Sequence, residues 1–362
     1  MRLRVLPDGE SWVLGKLPEG CRRCARGAKL VLFITGLCDN PPECSWYCPI
    51  SLSRRGKDEM YANERLIKDV ADVLEEARLI DAEGTGVTGG EPLMVLNRTL
   101  EFIRVLKDNF GSRHHIHLYT SGRMLSEKAI KRLVDAGLDE LRIHLPRVEA
   151  IRKALEYPIS VGVEVPVLPS SEGRLRRMAV MLDELGVEFL NLNELEFSEG
   201  NADKLKEKGF SLREGSFVAA AGSRETAERL LDWAREELSM SIHYCSARFK
   251  DSIQLRNRLA RRARNVARPY EAVTDDGLLV KGVIHGVPAS KLDSLAASLK
   301  EKFRIPSRMI RVNREKCRIE TSVRMAYKIA KRIPKAKRGF KIGVVEEYPT
   351  EEPRLETEYT PL

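Results

Sequence analysis

Leu30-Val31-Leu32-Phe33-Ile34 is the stretch that most limits what this chain can become. Five apolar residues in a row, several of them β-branched or aromatic, read as a strand buried on both faces, the habit of parallel sheets in α/β proteins. Thr35-Gly36-Leu37 then lets the backbone turn. Three cysteines follow within Cys38-Asp-Asn-Pro-Pro-Glu-Cys44-Ser-Trp-Tyr-Cys48. A loop at the carboxyl end of a buried parallel strand is where α/β folds build their sites. Three close thiols there suit a soft metal or an iron–sulfur cluster, because thiolates bind both. A structural zinc site is the competing use of clustered thiolates.

The chain then alternates strand and helix. Leu66, Ile67, Val70, Val73, Leu74 and Ala77 fall at helical spacing and predict a helix over 63–80. Gly84–Thr88 is a second strand, closed by Gly89-Gly90-Glu91-Pro92, and Pro92 suits the first turn of a helix that stops at Gly111. His115–Thr120 is a third strand ending in Tyr119-Thr120-Ser121-Gly122. His117 within it reads as a packed structural residue rather than a ligand. Ser126 caps a helix over 127–136 that Gly137 ends. Strands at 141–145, 159–168 and 189–197 follow, with helices at 147–156 and 173–185 between them. Six strand–helix units predict a partial (β/α)6 TIM-like barrel. The sixth strand brings Asn191, Asn193, Glu194 and Glu196 to its end, a polar set that costs free energy unless it binds something.

Here the residues resemble a family. Three cysteines after the first strand, the last preceded by Tyr47, together with GGEP at the end of the second strand, resemble the two signatures of the radical S-adenosylmethionine superfamily. The set as a whole is similar to an uncharacterised archaeal branch related to the pyruvate formate-lyase, or glycyl-radical, activating enzymes. The gaps of five and three residues between the cysteines are longer than the usual three and two. The resemblance implies that Cys38, Cys44 and Cys48 hold three irons of a [4Fe–4S] cluster. The fourth iron is left for the amino and carboxylate groups of S-adenosylmethionine. It implies cofactor contacts at Gly89, Gly90, Glu91 and Pro92, at Tyr47 (or Trp46), at Thr120 and Ser121, and at Asn193 and Glu194. It implies reductive cleavage to a 5′-deoxyadenosyl radical for C–H activation, with an electron donor of the ferredoxin or flavodoxin type. It names no substrate, and RNA and protein are both candidates.

Cys21-Arg-Arg-Cys24 has a common metal-ligand spacing. Cys245 lies just past the sixth strand. The expectation is that Cys21, Cys24 and Cys245 meet and hold a second metal centre, an iron–sulfur cluster or zinc, with His243 or Cys317 as a fourth ligand. Cys317 otherwise reads as a core thiol.

Seven clustered cysteines argue against a secreted disulfide framework. Met1–Glu10 lacks the apolar stretch of a signal peptide, and no run nears ~20 apolar residues. A cytoplasmic protein without a membrane span is therefore expected. Charged residues make up 32%, which leans towards a thermophilic chain. The net charge of +9 is uneven: residues 241–362 hold 27 Lys and Arg against 14 Asp and Glu. The expected organisation is an N-terminal segment (1–28), a barrel (29–245), a basic connecting helix (246–269), and a small basic α+β domain with an acidic tail (270–362). The helix carries Arg256, Arg258, Arg261, Arg262 and Arg264, a solvated face or an anion-binding one. Two alternatives to C–H activation of an unnamed substrate stand beside it. One is an RNA-modifying radical enzyme that docks tRNA or rRNA on the basic third. The other is a non-catalytic metal- and nucleic-acid-binding protein.

Overall fold

The computed structural model describes residues 1–362, apart from the side chain of Lys337. It divides into two compact units, residues 1–78 with 82–255, and residues 79–81 with 256–362.

The first unit opens with the hairpin β1 (Leu3–Val5) and β2 (Trp12–Leu14) and the helix α1 (Glu19–Ala25). Next come β3 (Lys29–Phe33), the hairpin β4 (Met60–Ala62) and β5 (Arg65–Ile67), and α2 (Val70–Leu79). β6 (Gly84–Thr88), α3 (Leu96–Phe110), β7 (His115–Thr120), α4 (Glu127–Ala136), β8 (Glu140–Ile143) and α5 (Val148–Leu155) continue the alternation. β9 (Ser160–Val167), α6 (Glu172–Glu184), β10 (Phe189–Glu194), α7 (Ala202–Glu207), α8 (Ser223–Glu237) and β11 (Ser241–Cys245) complete it. The chain leaves through α9 (Ala247–Phe249) and a π-helical turn at Lys250–Leu255.

β3, β6, β7, β8, β9, β10 and β11 pair in parallel in that spatial order. This is a partial TIM-like barrel, and β11 adds a seventh parallel strand beside the six expected. β9 shows why these segments are strands. Val161, Val163, Val165 and Val167 are buried on one face and alternate with Gly162, Glu164 and Pro166. The hairpins cover both edges, β2 antiparallel to β11 and β4 antiparallel to β3, so neither edge of the parallel sheet is left bare. α4 is closed by local chemistry: Ser126 Oγ accepts from Ala129 N at 3.2 Å, and Gly137 ends it with φ 104°.

The expected helix over 63–80 is corrected at its start. Asn63 takes φ 56° and opens a two-residue turn, so Arg65–Ile67 returns as a strand, and Leu66 is 51% exposed. Only Val70–Leu79 is helical.

The second unit begins with α10 (Arg256–Val266) and β12 (Ala272–Val273). β13 (Leu279–His285), α11 (Leu292–Phe303), β14 (Ile310–Asn313), β15 (Arg318–Thr321), α12 (Val323–Arg332), β16 (Lys341–Glu347) and β17 (Glu356–Pro361) follow. Its sheet is antiparallel, in the order β14-β15-β13-β16-β17 with β12 on β13. Both longer helices pack on one face, where Leu292, Leu299, Phe303, Ala326 and Ile329 meet Ile284, Ile319 and Ile342. β14 and β15 form a hairpin whose turn is shaped by Asn313, its Oδ1 accepting from Lys316 N. Cys317 sits in that turn with φ 47° and is exposed, so it is not a core thiol. The acidic tail supplies β17, and Glu356 pairs with Lys316 and Arg318.

The polar residues of this sheet bury a charge network. Lys281, 1% exposed, lies 2.9 Å from Glu271, 2.7 Å from Glu347 and 3.3 Å from Glu320. Glu320 also accepts from Arg318, Asn313 and the Tyr270 hydroxyl. Burial would raise its carboxyl, but Lys281 and Arg318 outweigh that and hold it at about 2. A depressed carboxyl stabilises the fold above its unfolded value near 4.5 and loses that contribution as pH falls towards 2. The parent should therefore lose about 2 kcal/mol more unfolding free energy between pH 7 and pH 3 than Glu320→Gln, read by chemical denaturation. An equal loss in both proteins would show that Glu320 is not held down.

Candidate active site

β3 and β6 are neighbours, and the loops that leave their carboxyl ends meet through the main chain. The cysteine loop starts and returns at Gly36, whose N–H donates to Lys57 O at 2.8 Å and whose carbonyl accepts from Gly56 N at 2.8 Å. A Cβ at Gly36 would stand 1.9 Å from Arg54 O. The Gly89–Gly90 turn lies against the start of the same loop. Gly90 N donates to Thr35 O and Glu91 N to Leu37 O, each at 2.7 Å. A Cβ at Gly89 would be 2.3 Å from Thr35 O, and one at Gly90 2.1 Å from Leu37 O. Only glycine permits this approach. Below it, Asp58 accepts from Thr35 Oγ1 at 2.9 Å and from Arg98 at 2.6 and 2.9 Å.

Glu91 is fully buried. Its carboxylate accepts from Leu93 N (3.1 Å), Thr120 Oγ1 (2.8 Å) and Ser121 N (2.8 Å), and so ties the end of β6 to the end of β7. Glu91 and Pro92 are thus held away from the cavity that the other candidates line.

That cavity measures about 430 Å³. Cys38, Cys44, Cys48, Tyr47, Gly89 and Gly90 line one side, with Thr120 and Ser121. Tyr47, not Trp46, faces it: Trp46 stacks on Phe210 with ring centroids 6.0 Å apart, in the apolar cluster of Leu195, Phe197 and Leu205. The Tyr47 hydroxyl lies 2.9 Å from His144 Nε2, and His144 Nδ1 lies 2.9 Å from Glu164 O. A carbonyl can only accept, so the His144 proton sits on Nδ1 and Tyr47 donates to Nε2. Burial also lowers the His144 pKa, which keeps it neutral.

The opposite wall is polar. Glu164 accepts from Arg142 Nη1 (2.8 Å), Asn191 Nδ2 (2.9 Å) and Asn193 Nδ2 (2.9 Å). Burial would raise its carboxyl, but Arg142 and the two amides hold it at about 2. Lys250 pairs with Glu196, and both line the cavity. Lys29 reaches the same cavity from the amino end of β3, with no carboxylate in ion-pairing range among the described residues. Glu194 serves partly as an anchor, accepting from Ala247 N at 2.8 Å and lying 3.2 Å from Arg213. Lys29, Arg142, Glu164 and Lys250 were missed as site residues from sequence. For Lys29, Arg142 and Glu164 the available signal was a charged residue in or beside a strand otherwise read as buried; Lys250, on the turn after α9, carried no such signal.

Among the described residues, no three His, Cys, Asp or Glu side chains converge on a point that suits a single ion. Burial, then the neighbouring thiols of Cys38 and Cys48, push Cys44 up to about 12. Burial raises Cys38 as well. The protein alone therefore does not favour thiolates at Cys38 and Cys44, and the compensating positive charge has to come from bound metal. The donor set and the main-chain cradle beside it fit a [4Fe–4S] cluster.

Cys21, Cys24 and Cys245, the thiols expected to share a second centre, lie within hydrogen-bonding reach of polar side chains. α1 plugs the amino end of the barrel: Gly20 N donates to Glu140, and a Cβ on Gly20 would meet His117 at 2.6 Å. Cys21 Sγ accepts from Arg142 (3.4 Å) and Asn191 (3.3 Å). Gln254 stands between the other two thiols, accepting from Cys24 Sγ at 2.9 Å and donating to Cys245 Sγ at 3.5 Å. The Gln254 amide thus links Cys24 to Cys245. His117 and His243 are buried in the barrel, and among the described residues neither ring nitrogen of either has a hydrogen-bond partner.

Residues 20–148 match the radical SAM superfamily, and residues 277–362 match a family described as "Domain of unknown function (DUF8061)". A protein of Methanocaldococcus jannaschii named "Putative glycyl-radical enzyme activating enzyme" is 43% identical over 300 residues, covering 79% of this chain and 78% of its own. Among solved structures, SuiB of Streptococcus suis bound to the precursor peptide SuiA is 11% identical, with a TM-score of 0.43. That match covers 60% of this chain and 48% of SuiB. Coproporphyrinogen III oxidase (HemN) of Escherichia coli is 9% identical with a TM-score of 0.36, over 60% of this chain and 56% of HemN. The chain spans about half the length of these two solved proteins. With both signatures seated at one cavity and 43% identity to the archaeal relative, the chain belongs to the radical S-adenosylmethionine superfamily, whose members bind a [4Fe–4S] cluster and S-adenosylmethionine.

Proposed function

We propose that the first unit abstracts a hydrogen atom from a C–H bond of a polypeptide segment presented to its cavity. The observation that carries this is the main-chain contact of the cysteine loop with Gly89–Gly90 on one side of a cavity whose other side is polar. When bound, a reduced [4Fe–4S] cluster with S-adenosylmethionine supplies the 5′-deoxyadenosyl radical that abstracts hydrogen.

The chain's own residues do the rest. Cys38, Cys44 and Cys48 would hold the cluster. Gly89 and Gly90 offer main-chain groups to S-adenosylmethionine, with Thr120 and Ser121 beside them, while Glu91 and Pro92 fix that turn from behind. Tyr47, held by His144, closes the cavity over the cysteine loop. Asn193, Glu194, Glu164 and the Lys250–Glu196 pair are the polar groups that orient what enters. The name of the archaeal relative favours a protein substrate. A one-electron donor of the ferredoxin or flavodoxin type is the partner this chemistry needs. Family membership counts against a non-catalytic role, since scaffolding has no use for the Gly89–Gly90 cradle. No helix is long and apolar enough to cross a membrane among the described residues.

Anaerobically reconstituted protein should form 5′-deoxyadenosine from S-adenosylmethionine and dithionite, and Cys38→Ala/Cys44→Ala/Cys48→Ala should lose this by at least about 100-fold. Retention of turnover in that triple variant would sink the assignment of the cluster. Metal analysis separates the two cysteine sets. Parent and Cys21→Ala/Cys24→Ala should both carry about four irons per chain, the content of one cubane. A content near eight in the parent, falling in the double variant, would restore a second centre.

A further inference from the structure

The second unit carries a block of charge that its own fold does not use. From Val323 to Lys341 the chain holds eight Lys and Arg and no Asp or Glu. Arg324, Lys328, Lys331 and Arg332 share one side of α12, and Lys335 follows just past its end in a short 3-10 turn. α12 turns Ala326 and Ile329 into the core, so this face is outward, with Tyr327 54% exposed among the cations. Among the described residues, none of these five side chains makes a hydrogen bond or an ion pair.

Four other helices instead pair their charges internally. α1 pairs Arg22 with Glu19 at 2.8 Å, α4 pairs Lys131 with Asp135 at 2.8 Å, α6 pairs Arg176 with Glu172 at 2.5 Å, and α8 pairs Arg224 with Glu228 at 3.1 Å. Mixed signs at these spacings are the thermophilic pattern. A single sign destabilises the helix by repulsion, so its retention calls for an external counter-charge. Nor does α10, the helix expected to bind anions, compete for that role. Arg261 is turned back to the carbonyls of Ile80 and Asp81, and Arg262 is buried against the Pro349 carbonyl.

We propose that α12 and the Pro334–Lys341 segment dock the phosphate backbone of single-stranded RNA, with Tyr327 as the stacking platform for a base. A stripe of one sign with no apolar patch fits a regular phosphate chain better than a protein surface, whose interface core is apolar. An exposed aromatic among cations is how unstacked bases are held, and unpaired segments are what sequence-tolerant RNA binders use. This inference concerns the second unit alone and stands or falls apart from the chemistry of the first.

The test titrates the full chain with fluorescent oligo-uridylate of about 20 nucleotides across a salt series. Arg324→Gln/Lys328→Gln/Lys331→Gln/Arg332→Gln should flatten the slope of log affinity against log salt by about three. Lys328→Arg/Lys331→Arg/Arg332→Lys should keep the parent slope, which guards against misfolding of the first variant. Tyr327→Ala should weaken binding about tenfold with the slope unchanged. An unchanged slope in the Gln variant, or Tyr327→Ala binding like the parent, overturns the proposal. So does polyglutamate binding as tightly as RNA, which would make an acidic protein the partner. Equal binding of the matching oligodeoxynucleotide would overturn the assignment to RNA.

Discussion

The site depends on one contact, the packing of main chain against main chain at Gly36, Gly89 and Gly90. Three carbonyls, of Thr35, Leu37 and Arg54, lie where side chains on these glycines would have to go. Because nothing intervenes, the loop after β3 and the turn after β6 share hydrogen bonds as if they were one further rung of the sheet. Rigid backbone sets the direction in which the loop leaves, and so where Cys38 starts. Glu91 extends the same constraint sideways by binding the end of β7 through Thr120 and Ser121. A buried carboxylate with three donors is stable only in this arrangement, so the three strand ends move together or not at all.

This explains what could be read in the sequence. A position that admits only glycine, next to a buried strand, leaves a visible mark, and β6 and β7 fall at the expected residues, with β3 within a residue of its place. α4 was legible because Ser126 and Gly137 satisfy its ends locally. The hairpins at Met60–Ile67 and Ile310–Thr321 were not, since each turns on one polar residue, Asn63 or Asn313, inside an apolar pattern that suits other elements equally well. The polar wall of the cavity was hidden for a different reason. Arg142 and Glu164 sit 22 residues apart on adjacent strands, and only the register that sets Arg142 opposite Gly162 brings them to 2.8 Å. For Cys21, Cys24 and Cys245 the spacing of ligands shows which thiols can meet, while nothing in the sequence marks Gln254 as the amide that bonds Cys24 and Cys245.

Charge shows the same limit more sharply. The surplus of Lys and Arg in the last third is plain from composition, yet composition does not say which cations are already satisfied. Lys281, Arg318 and Arg354 are buried and paired with Glu271, Glu320 and Glu347. Removing one partner from such a network leaves an uncompensated buried charge, so these cations are fixed in place by the fold. The basic helix that looked most suited to anions, α10, spends at least Arg261 and Arg262 on backbone carbonyls.

Among the described residues Lys291, Lys300, Lys302, Arg308 and Arg311 are also exposed and unpaired, so local density is what sets a candidate apart. In the second unit, α12 concentrates exposed cations that the fold leaves unpaired. In the first, Lys29 stands in the cavity without a carboxylate partner, below a wall where Arg142 and Lys250 are each matched by an acid. A buried ammonium is costly unless something shares its charge. Strand rise places the start of β3 about 16 Å from Ile34, too far for a lysine to serve the cysteine loop. Lys29 therefore faces whatever fills the depth of the barrel rather than the group held at its rim. One cavity thus carries two kinds of lining: glycine backbone and thiols after β3 and β6, and titratable side chains on β8 and β9 and after β10 and β11.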